Sequence, residues 1–354
     1  MPSASVIIPA HNEARVIGRL LSRLLAEASK DEFDVVVVAN GCDDDTASVA
    51  RGFGVRVVET PVPSKREALR LGDEAAAAHP RVYVDADIEM GTADLRALRD
   101  ALLDGTADAR DGMAHDSADD AHKTGTPGSA DVARGGGAHG SADVTRGGGA
   151  DGGTDHARGD RAGDGSEHGR SFAAPSRGTA PKALAAAPER ALVLSDRPWP
   201  VRAYYAVWSR LPAVREGLFG RGVIAVSEEG NRRLMDLPPV MGDDLAASLA
   251  FEPAERRVVR HAHAVIHPPR TLGDLLRRRV RAVTVVAEIQ QGPMSGQEAR
   301  TGLRDLLAIA GRAPWLLPHL AVFLAVTLVA RARARRAVRA KDYTTWLRDE
   351  SSRT

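Results

Sequence analysis

Over its first ninety residues the chain alternates short runs of β-branched residues with stretches of helical periodicity. ASVIIP (4–9), DVVVVA (34–39) and VYV (82–84) are apolar at nearly every position, and a shorter run spans Val55 to Glu59. A strand that is apolar on both sides is covered on both faces, as in a parallel sheet flanked by helices; an antiparallel sheet with one wet face would alternate. Between these runs, Ile17, Leu20, Leu21, Leu24 and Leu25 recur at helical spacing. Asn12 is placed to cap that helix, with Glu13 in its first turn, and Ser64 to cap a second one over Ser64–Ala78. Strand–helix–strand order of this kind predicts an α/β fold with a doubly wound sheet. Such sheets bind ligands at the carboxyl ends of their strands. The segments of interest are therefore Pro9–Glu13, Asn40–Asp45, and Asp85 with Asp87.

Asp85 and Asp87 follow VYV one residue apart, so on an extended chain both carboxylates point the same way. They repel each other unless a cation lies between them, and Mg²⁺ or Mn²⁺ prefers oxygen donors and takes a diphosphate readily as a further ligand. Asp-x-Asp is also common by chance and fits a solvated turn equally well. Lys65 and Arg66 stand in the first turn of a helix, where cations oppose the dipole. That points to an anion nearby or to two charges on a wet turn. Asp43, Asp44 and Asp45 sit at a helix start, where acids favour the dipole and need no ligand.

Four ordered stretches, VIIPAHNEARVIGRLL, VVVVANGCDDDT, SKREALRLG and VYVDADI, together resemble the nucleotide-binding half of a family 2 glycosyltransferase of the GT-A fold. No Gly-x-Gly-x-x-Gly follows the first strand and no Gly-x-x-x-x-Gly-Lys-Ser/Thr loop is present, which disfavours dinucleotide and P-loop sites. The resemblance implies a GT-A, Rossmann-like mixed sheet and a nucleotide-diphosphate sugar donor. It implies Pro9, His11 and Glu13 around base and ribose, Lys65 near base and phosphates, Asp85 near the ribose or the metal, and Asp87 as the more direct ligand of Mg²⁺ or Mn²⁺. Asn40 stands where the family more often has Asp. An amide both donates and accepts, so a base contact survives, but the usual uridine preference is in doubt. Further on, Asp243-Asp244 precede an apolar helical pattern at Leu245, Leu249 and Phe251. By resemblance Asp244 is the general base and Asp243 an N-cap or acceptor contact; without it, the pair is an ordinary acidic helix start. The Gln-x-x-Arg-Trp motif of processive members is absent, so a single inverting transfer is expected rather than polymer synthesis.

The chain has 354 residues, 43% of them hydrophobic, and a formal net charge of +1, which allows a substantial core and disfavours nucleic acid as a bulk-charge partner. Cys42 is the single cysteine, which rules out an intramolecular disulfide and suits a reducing cytoplasm. No basic n-region with a long apolar stretch opens the chain, so no secretory leader is expected. The expected organisation is a nucleotide-sugar-binding half over 1–104, a low-complexity disordered insertion over 105–188, an acceptor-binding half over 189–270, and a helical, basic tail over 271–354. The insertion carries the imperfect repeat ADVARGGGAHG and ADVTRGGGADG and nearly lacks large apolar residues. Its histidines (His115, His122, His139, His156, His168) have no fixed ligand spacing.

A strand is expected at 191–195, an amphipathic helix at Pro200–Leu211 with Tyr204, Tyr205 and Trp208 as core or sugar-stacking residues, and a glycine turn, Gly220-Arg221-Gly222, into a strand. His261, His263 and His267 follow a strand-like VVR, in structural roles or beside a metal. Arg270, Arg277, Arg278, Arg279 and Arg281 could meet a diphosphate or anionic lipid. Residues 313–330 are apolar over about a membrane-spanning length and precede the arginines of 331–339. If that run crossed a membrane once from a cytoplasmic catalytic part, the arginines would lie outside, against the positive-inside tendency. A helix in the interface avoids the conflict, and a buried or partner-binding helix is the third reading. Together these imply an enzyme at the inner face of the cell membrane, acting on an unknown acceptor, with a lipid-linked one among the candidates. The alternative is a non-catalytic nucleotide-sugar-binding or scaffold protein on the same fold.

Overall fold

The computed structural model describes residues 1–103, 182–237, 243–291 and 302–339; for 243–244, 285–291 and 337–339 it describes the backbone alone. Within them lies one seven-stranded sheet: β1 (Ala4–Ala10), β2 (Phe33–Asn40), β3 (Arg56–Thr60), β4 (Arg81–Val84), β5 (Ala185–Leu192), β6 (Val223–Val226) and β7 (Arg256–Ile266), in the order β3-β2-β1-β4-β6-β5-β7. β1 pairs in parallel with β2 and β4, β2 with β3, and β5 with β7. β6 alone runs against its neighbours β4 and β5. The sheet is therefore mixed, with a parallel amino-terminal half as its apolar runs require. β1 and β4 are buried at every position and β2 from Val35 onward.

Helices α1 (Ile17–Leu25), α2 (Thr46–Arg51), α3 (Lys65–Ala75) and α4 (Thr92–Leu103) cross between these strands. α1 buries Ile17, Leu20, Leu21 and Leu24, the apolar positions of its periodicity. Ser64 caps α3, accepting from the Glu67 amide at 3.3 Å. Asn12 does not cap α1, whose cap position is Val16. It lies instead at φ +54° and accepts from the Asp43 amide at 2.8 Å, tying the β1 and β2 loops together. Asparagine tolerates the left-handed region better than most residues, so the turn consumes the side chain that the helix signal claimed.

The insertion expected over 105–188 falls outside the described residues up to 181, and its histidines with it. Its last residues do not belong to it. β5 begins at Ala185, six residues before the strand expected at 191, and Ala185, Ala186 and Ala187 are fully buried. Ala-Ala-Ala-Pro has low strand propensity and reads as low complexity; pairing with β6 and β7 on both sides overrides that preference. β7 likewise extends past VVR and includes His261 and His263, both exposed.

Helices α5 (Trp199–Trp208), α6 (Pro212–Glu216), α7 (Glu228–Met235), α8 (Asp243–Leu249), α9 (Leu272–Gln291), α10 (Leu303–Arg312) and α11 (Leu317–Arg339) follow. Tyr204 and Tyr205 are core residues: Tyr204 stacks on Phe323 with ring centroids 5.1 Å apart. Leu316, Leu320, Phe323 and Val326 form one buried stripe packed with α5 and with Leu275 of α9. Arg277 pairs with Asp274, and Arg279 lies over the Tyr204 ring, so these two arginines of the cluster serve the helical packing. The segment Pro314–Arg336 is the one helical stretch among the described residues long and apolar enough to cross a membrane. Its opposite side exposes Trp315, Leu317, Leu324 and Leu328.

Gly72 sets how closely α3 approaches the sheet. A Cβ there would stand 2.4 Å from Ile7 Cγ2 and 3.2 Å from Val38 Cγ2. Gly72→Ala should lower stability by about 2 kcal/mol despite alanine's better helix propensity, because overpacking outweighs the helix gain. Chemical denaturation of the two proteins checks this; an unchanged midpoint would contradict the packing argument.

Candidate functional site

The parallel register brings the ends of β1, β2 and β4 to one edge, with Ala10 beside Ala39 and Asn40 beside Thr60. Asn40 is the tie between them. With its amide oriented by the hydrogen-bond network, Nδ2 donates to the Ala10 carbonyl at 2.7 Å and Oδ1 accepts from the Ser64 amide at 3.2 Å. His11 Nδ1 lies 2.7 Å from the Asn40 carbonyl. One side chain thus joins β1, β2 and the start of α3, and it is almost fully buried. Pro9, His11, Asn40 and Lys65 are brought together as the sequence suggested. Glu13 sits apart: it is buried, and its amide donates to Thr46 Oγ1 at 2.8 Å.

In the β2 loop, Asp44 accepts from the Ala14 amide at 3.1 Å and from Thr46, whose amide is 3.0 Å away and whose hydroxyl is closer still. Burial pushes the Asp44 carboxyl up, but these hydrogen bonds outweigh it and leave the group below its ordinary value. Asp44 is therefore a loop-holding residue. Asp43 lends its amide to Asn12.

After β4 the chain places Asp85, Asp87 and Glu89 in alternation. Asp85 Oδ1 is 2.6 Å from Lys65 Nζ, an ion pair between β4 and α3 with both groups more than a third exposed. The Asp85 amide donates to the Gly222 carbonyl at 2.8 Å. Asp87 is half-buried, and its carboxylate makes no hydrogen bond or ion pair among the described residues. Glu89 is saturated: Arg23 Nη1 is at 2.5 Å, Arg19 Nε at 2.9 Å and His267 Nε2 at 2.7 Å. Its backbone bonds Val265 in both directions. His267 is thereby a partner of Glu89. Burial raises the Glu89 carboxyl, while His267 and Arg23 lower it further, so it lies below its usual range.

This anchor was not legible in the sequence, although Glu89 continues the alternation of Asp85 and Asp87. Its partners lie 66 to 178 residues away along the chain. Two arginines, Arg221 fully buried and Arg190 partly so, were missed for the same reason. Arg221 donates to the carbonyls of Gly217, Pro188 and Arg215 at 2.7–2.9 Å, and burial pulls its guanidinium down to about 10. Arg190 donates to Gly220 and Val214 at 3.0 and 2.7 Å. They hold the 214–222 loop against Asp85.

A cleft of about 350 Å³ opens beside this edge, lined at its mouth by Pro9, Lys65 and Asp85. Ala246 and Ala247 of α8 form part of its wall. Asp243 and Asp244 occupy the first turn of α8, so that helix starts on the acidic pair rather than after it. Their side chains lie outside the described atoms. No group of three or more His, Cys, Asp or Glu side chains suited to a metal occurs among the described residues. Two carboxylates are nonetheless the donor set with which Mg²⁺ is commonly held, its remaining positions going to water and substrate phosphates. Asp85 and Asp87 fit that chemistry.

Glu89→Ala should cost about 2 kcal/mol at neutral pH, below the range for fully buried pairs because Arg19 and Arg23 can turn to water. Because the folded-state pKa is depressed, this contribution is present above the ordinary glutamate range and lost as pH falls through the lowered value. Unfolding midpoints of the two proteins should therefore differ at pH 7 and converge on acidification. A gap that stays constant to low pH would mean that Glu89's charge is not the cause.

The sequence pattern described as Glycosyl transferase family 2 matches residues 5–127. Two 4,4'-diaponeurosporenoate glycosyltransferases of Staphylococcus aureus are similar to part of the chain. That of strain bovine RF122 / ET3-1 is 35% identical over 92 residues and that of strain USA300 is 34% identical over 90. Each alignment takes in 24% of this chain and 24% of the relative, so the chain matches about a quarter of these relatives' length. Among solved structures, a mannosyltransferase (PcManGT) from Pyrobaculum calidifontis, in complex with GDP-Man and Mn²⁺, superposes with a TM-score of 0.50 at 18% identity, covering 99% of this chain and 85% of that one. The shared architecture is the GT-A fold.

Proposed function

Through residues 5–127 the chain belongs to glycosyl transferase family 2, and on that premise we propose that it transfers a single sugar from a nucleotide-diphosphate donor to an acceptor hydroxyl, with inversion. The observation that carries this reading is the edge after β4: a half-buried Asp87 carboxylate with no hydrogen-bond or ion-pair partner among the described residues, beside Asp85 paired to Lys65. The Pyrobaculum neighbour's complex with GDP-Man and Mn²⁺ supports a nucleotide sugar and a divalent cation as ligands.

In this reading Asp87 and Asp85 hold Mg²⁺ or Mn²⁺, which when bound neutralises the leaving diphosphate. Lys65, already within reach of Asp85, moves its ammonium onto the phosphates when donor arrives. Pro9 and His11 line the base and ribose, with Glu13 buried behind them. Asn40 presents what remains of its amide capacity to the base, since Nδ2 has a second hydrogen and Oδ1 a second lone pair. Asp244, with Asp243 beside it on α8, takes the proton of the acceptor hydroxyl as it attacks the anomeric carbon.

The acceptor half is proposed to work at the inner, cytoplasmic face of a membrane on a lipid-linked acceptor. The names of the staphylococcal relatives, which specify a diaponeurosporenoate, support an apolar acceptor. Support for the surface contact comes from α11. One of its stripes is spent on α5 and α9, which leaves Trp315, Leu317, Leu324 and Leu328 exposed and the arginines of 331–336 at its far end. A helix so used lies along the interface more readily than it crosses it.

Calorimetry with uridine, guanosine and thymidine diphosphate sugars, with and without Mn²⁺, tests the donor site. Asp87→Ala should abolish the metal-dependent part of binding. Asp244→Asn should keep donor affinity and lower turnover by about 100-fold or more. Full turnover by Asp244→Asn would remove the base assignment, and a folded protein that binds no donor would remove the transferase reading. For the membrane, Leu324→Glu with Leu328→Glu should release the protein from phosphatidylglycerol vesicles in co-sedimentation; retention of both-variant protein on the vesicles would place the contact elsewhere.

A further inference from the structure

The cleft at the carboxylate edge does not end at its mouth. From Pro9, Lys65 and Asp85 it continues along one face of α3, past Leu69 to Asp73 and Glu74, with Tyr83 of β4 and Ile224 of β6 also lining it. The opposite wall is the end of α7, Leu234 and Met235, followed by Leu237. Glu74 is nine helical steps on from Lys65 in α3, which makes the slot about 14 Å long.

Lys65 and Asp85 stand at the mouth, and Arg66, Arg70, Asp73 and Glu74 also line the slot along α3, with Arg70 paired to Glu74 and Asp73 to Arg81. Between them Leu69, Ile224, Leu234 and Met235 are only partly buried although they pack against the core beneath the sheet. Large apolar side chains left facing a cleft are the usual lining of a site for an apolar ligand. The polar groups on the same wall are committed to one another. Tyr83 Oη lies 2.9 Å from Asp73 Oδ1 and 2.6 Å from Asn231 Oδ1, the Asn231 amide donates to Asp73 at 3.1 and 3.3 Å, and Arg81 Nε is 3.2 Å from Asp73. Burial and the Asp73 carboxylate push the Tyr83 hydroxyl well above its ordinary value, so it stays neutral. This group of side chains therefore has little bonding capacity left for a sugar hydroxyl.

We propose that this slot holds the hydrocarbon chain of the acceptor, an extended acyl- or isoprenoid-like alcohol or acid, with its reacting oxygen at the Lys65–Asp85 end. The assignment rests on the transferase reading above and adds the acceptor's chemical class and where its chain lies. The continuity of the slot with the carboxylate edge carries it: a chain lying along α3 has one end where the donor's anomeric carbon must be. A slot of that length takes about ten extended carbons, and longer chains project beyond Glu74.

The test is displacement of the fluorescent apolar probe phenylnaphthylamine from the full chain by straight-chain alcohols from butanol to dodecanol. Affinity should rise by up to about fourfold per methylene and then level off near the slot's length. Leu69→Trp, which fills the slot, should move the plateau to shorter chains. Met235→Asp, which charges it, should weaken the longer alcohols about tenfold or more. Both positions are partly exposed, and thermal unfolding of each variant checks that it folds. Leu324→Glu with Leu328→Glu on α11 should leave the series unchanged, which separates the slot from the exposed helix face. An affinity that climbs without a plateau, or a plateau that ignores Leu69→Trp, overturns the proposal. Donor binding by calorimetry is run on the same proteins. Donor binding without chain-length dependence overturns the slot alone. Chain-length dependence without donor binding overturns the transferase reading, and the acceptor assignment falls with it.

Discussion

Three carboxylates leave β4 in alternation, and the site depends on how their mutual repulsion is answered. Each receives a different answer. Glu89 is buried, and two more exposed arginines and a histidine close on its carboxylate. Asp85 meets one lysine at a half-exposed position. Asp87 meets no charged group among the described residues. Charge is thus compensated at the inner end and left open at the outer end. A fully compensated trio would be a structural knot with no appetite for a cation. A trio with no compensation would push the β4 loop away from β7, because Glu89 is also the residue whose backbone bridges Val265. The gradient lets one protein-held carboxylate be rigid while its neighbours stay available.

Rigidity at that loop is supplied from several elements at once. Asn40 ties three segment ends with one amide, and Glu89 draws α1, the β4 loop and the end of β7 into one cluster. Amides and guanidinium groups suit this work because each offers several bonds in fixed directions. Such ties contribute modestly to stability individually. Their effect is on geometry: the carboxyl edge is assembled from loops, and loops hold a site only when their backbone groups are bonded somewhere.

The parallel half of the sheet was legible because fully buried strands leave no choice of residue, and VIIP, VVVV and VYV can hardly be anything else. Strand order alone puts Pro9, Asn40 and Asp85 at one edge; Lys65, on α3, was expected there only from the resemblance, and its ion pair with Asp85 sets it beside them. What escaped was whatever depends on partners distant in sequence. Asn12 carries a good capping signal and is used by the β2 loop. Ala185–Pro188 has the composition of a linker and is a buried strand. His267 was read as structural or beside a metal, and the partner that decides it, Glu89, lies 178 residues away. In each case the local preference is about 1 kcal/mol or less, and a tertiary hydrogen bond or a strand pairing is enough to reverse it.

Gly220-Arg221-Gly222 shows how much of a motif's meaning lies outside the motif. As sequence it signals a turn that lets a backbone come close to something. Gly222 does adopt φ +68°, and a Cβ there would stand 2.5 Å from the Ile88 side chain, between the two aspartates' loop and β6. The close approach is thus to the protein's own β4 loop, and the carbonyl delivered by it accepts from the Asp85 amide. The residue between the glycines decides whether the turn can be held. Arg221 is fully buried, and its guanidinium spans three carbonyls from two segments, with Glu189 3.7 Å away as its nearest acid. A lysine could not make those contacts, since an ammonium lacks the planar spread of donors. The antiparallel strand β6 is what makes the arrangement possible: running against β4, it starts where β4 ends, so its preceding turn lies directly against the carboxylate edge. Reversing that one strand's direction would carry the glycine turn to the far end of the sheet and leave Asp85 without its backbone partner.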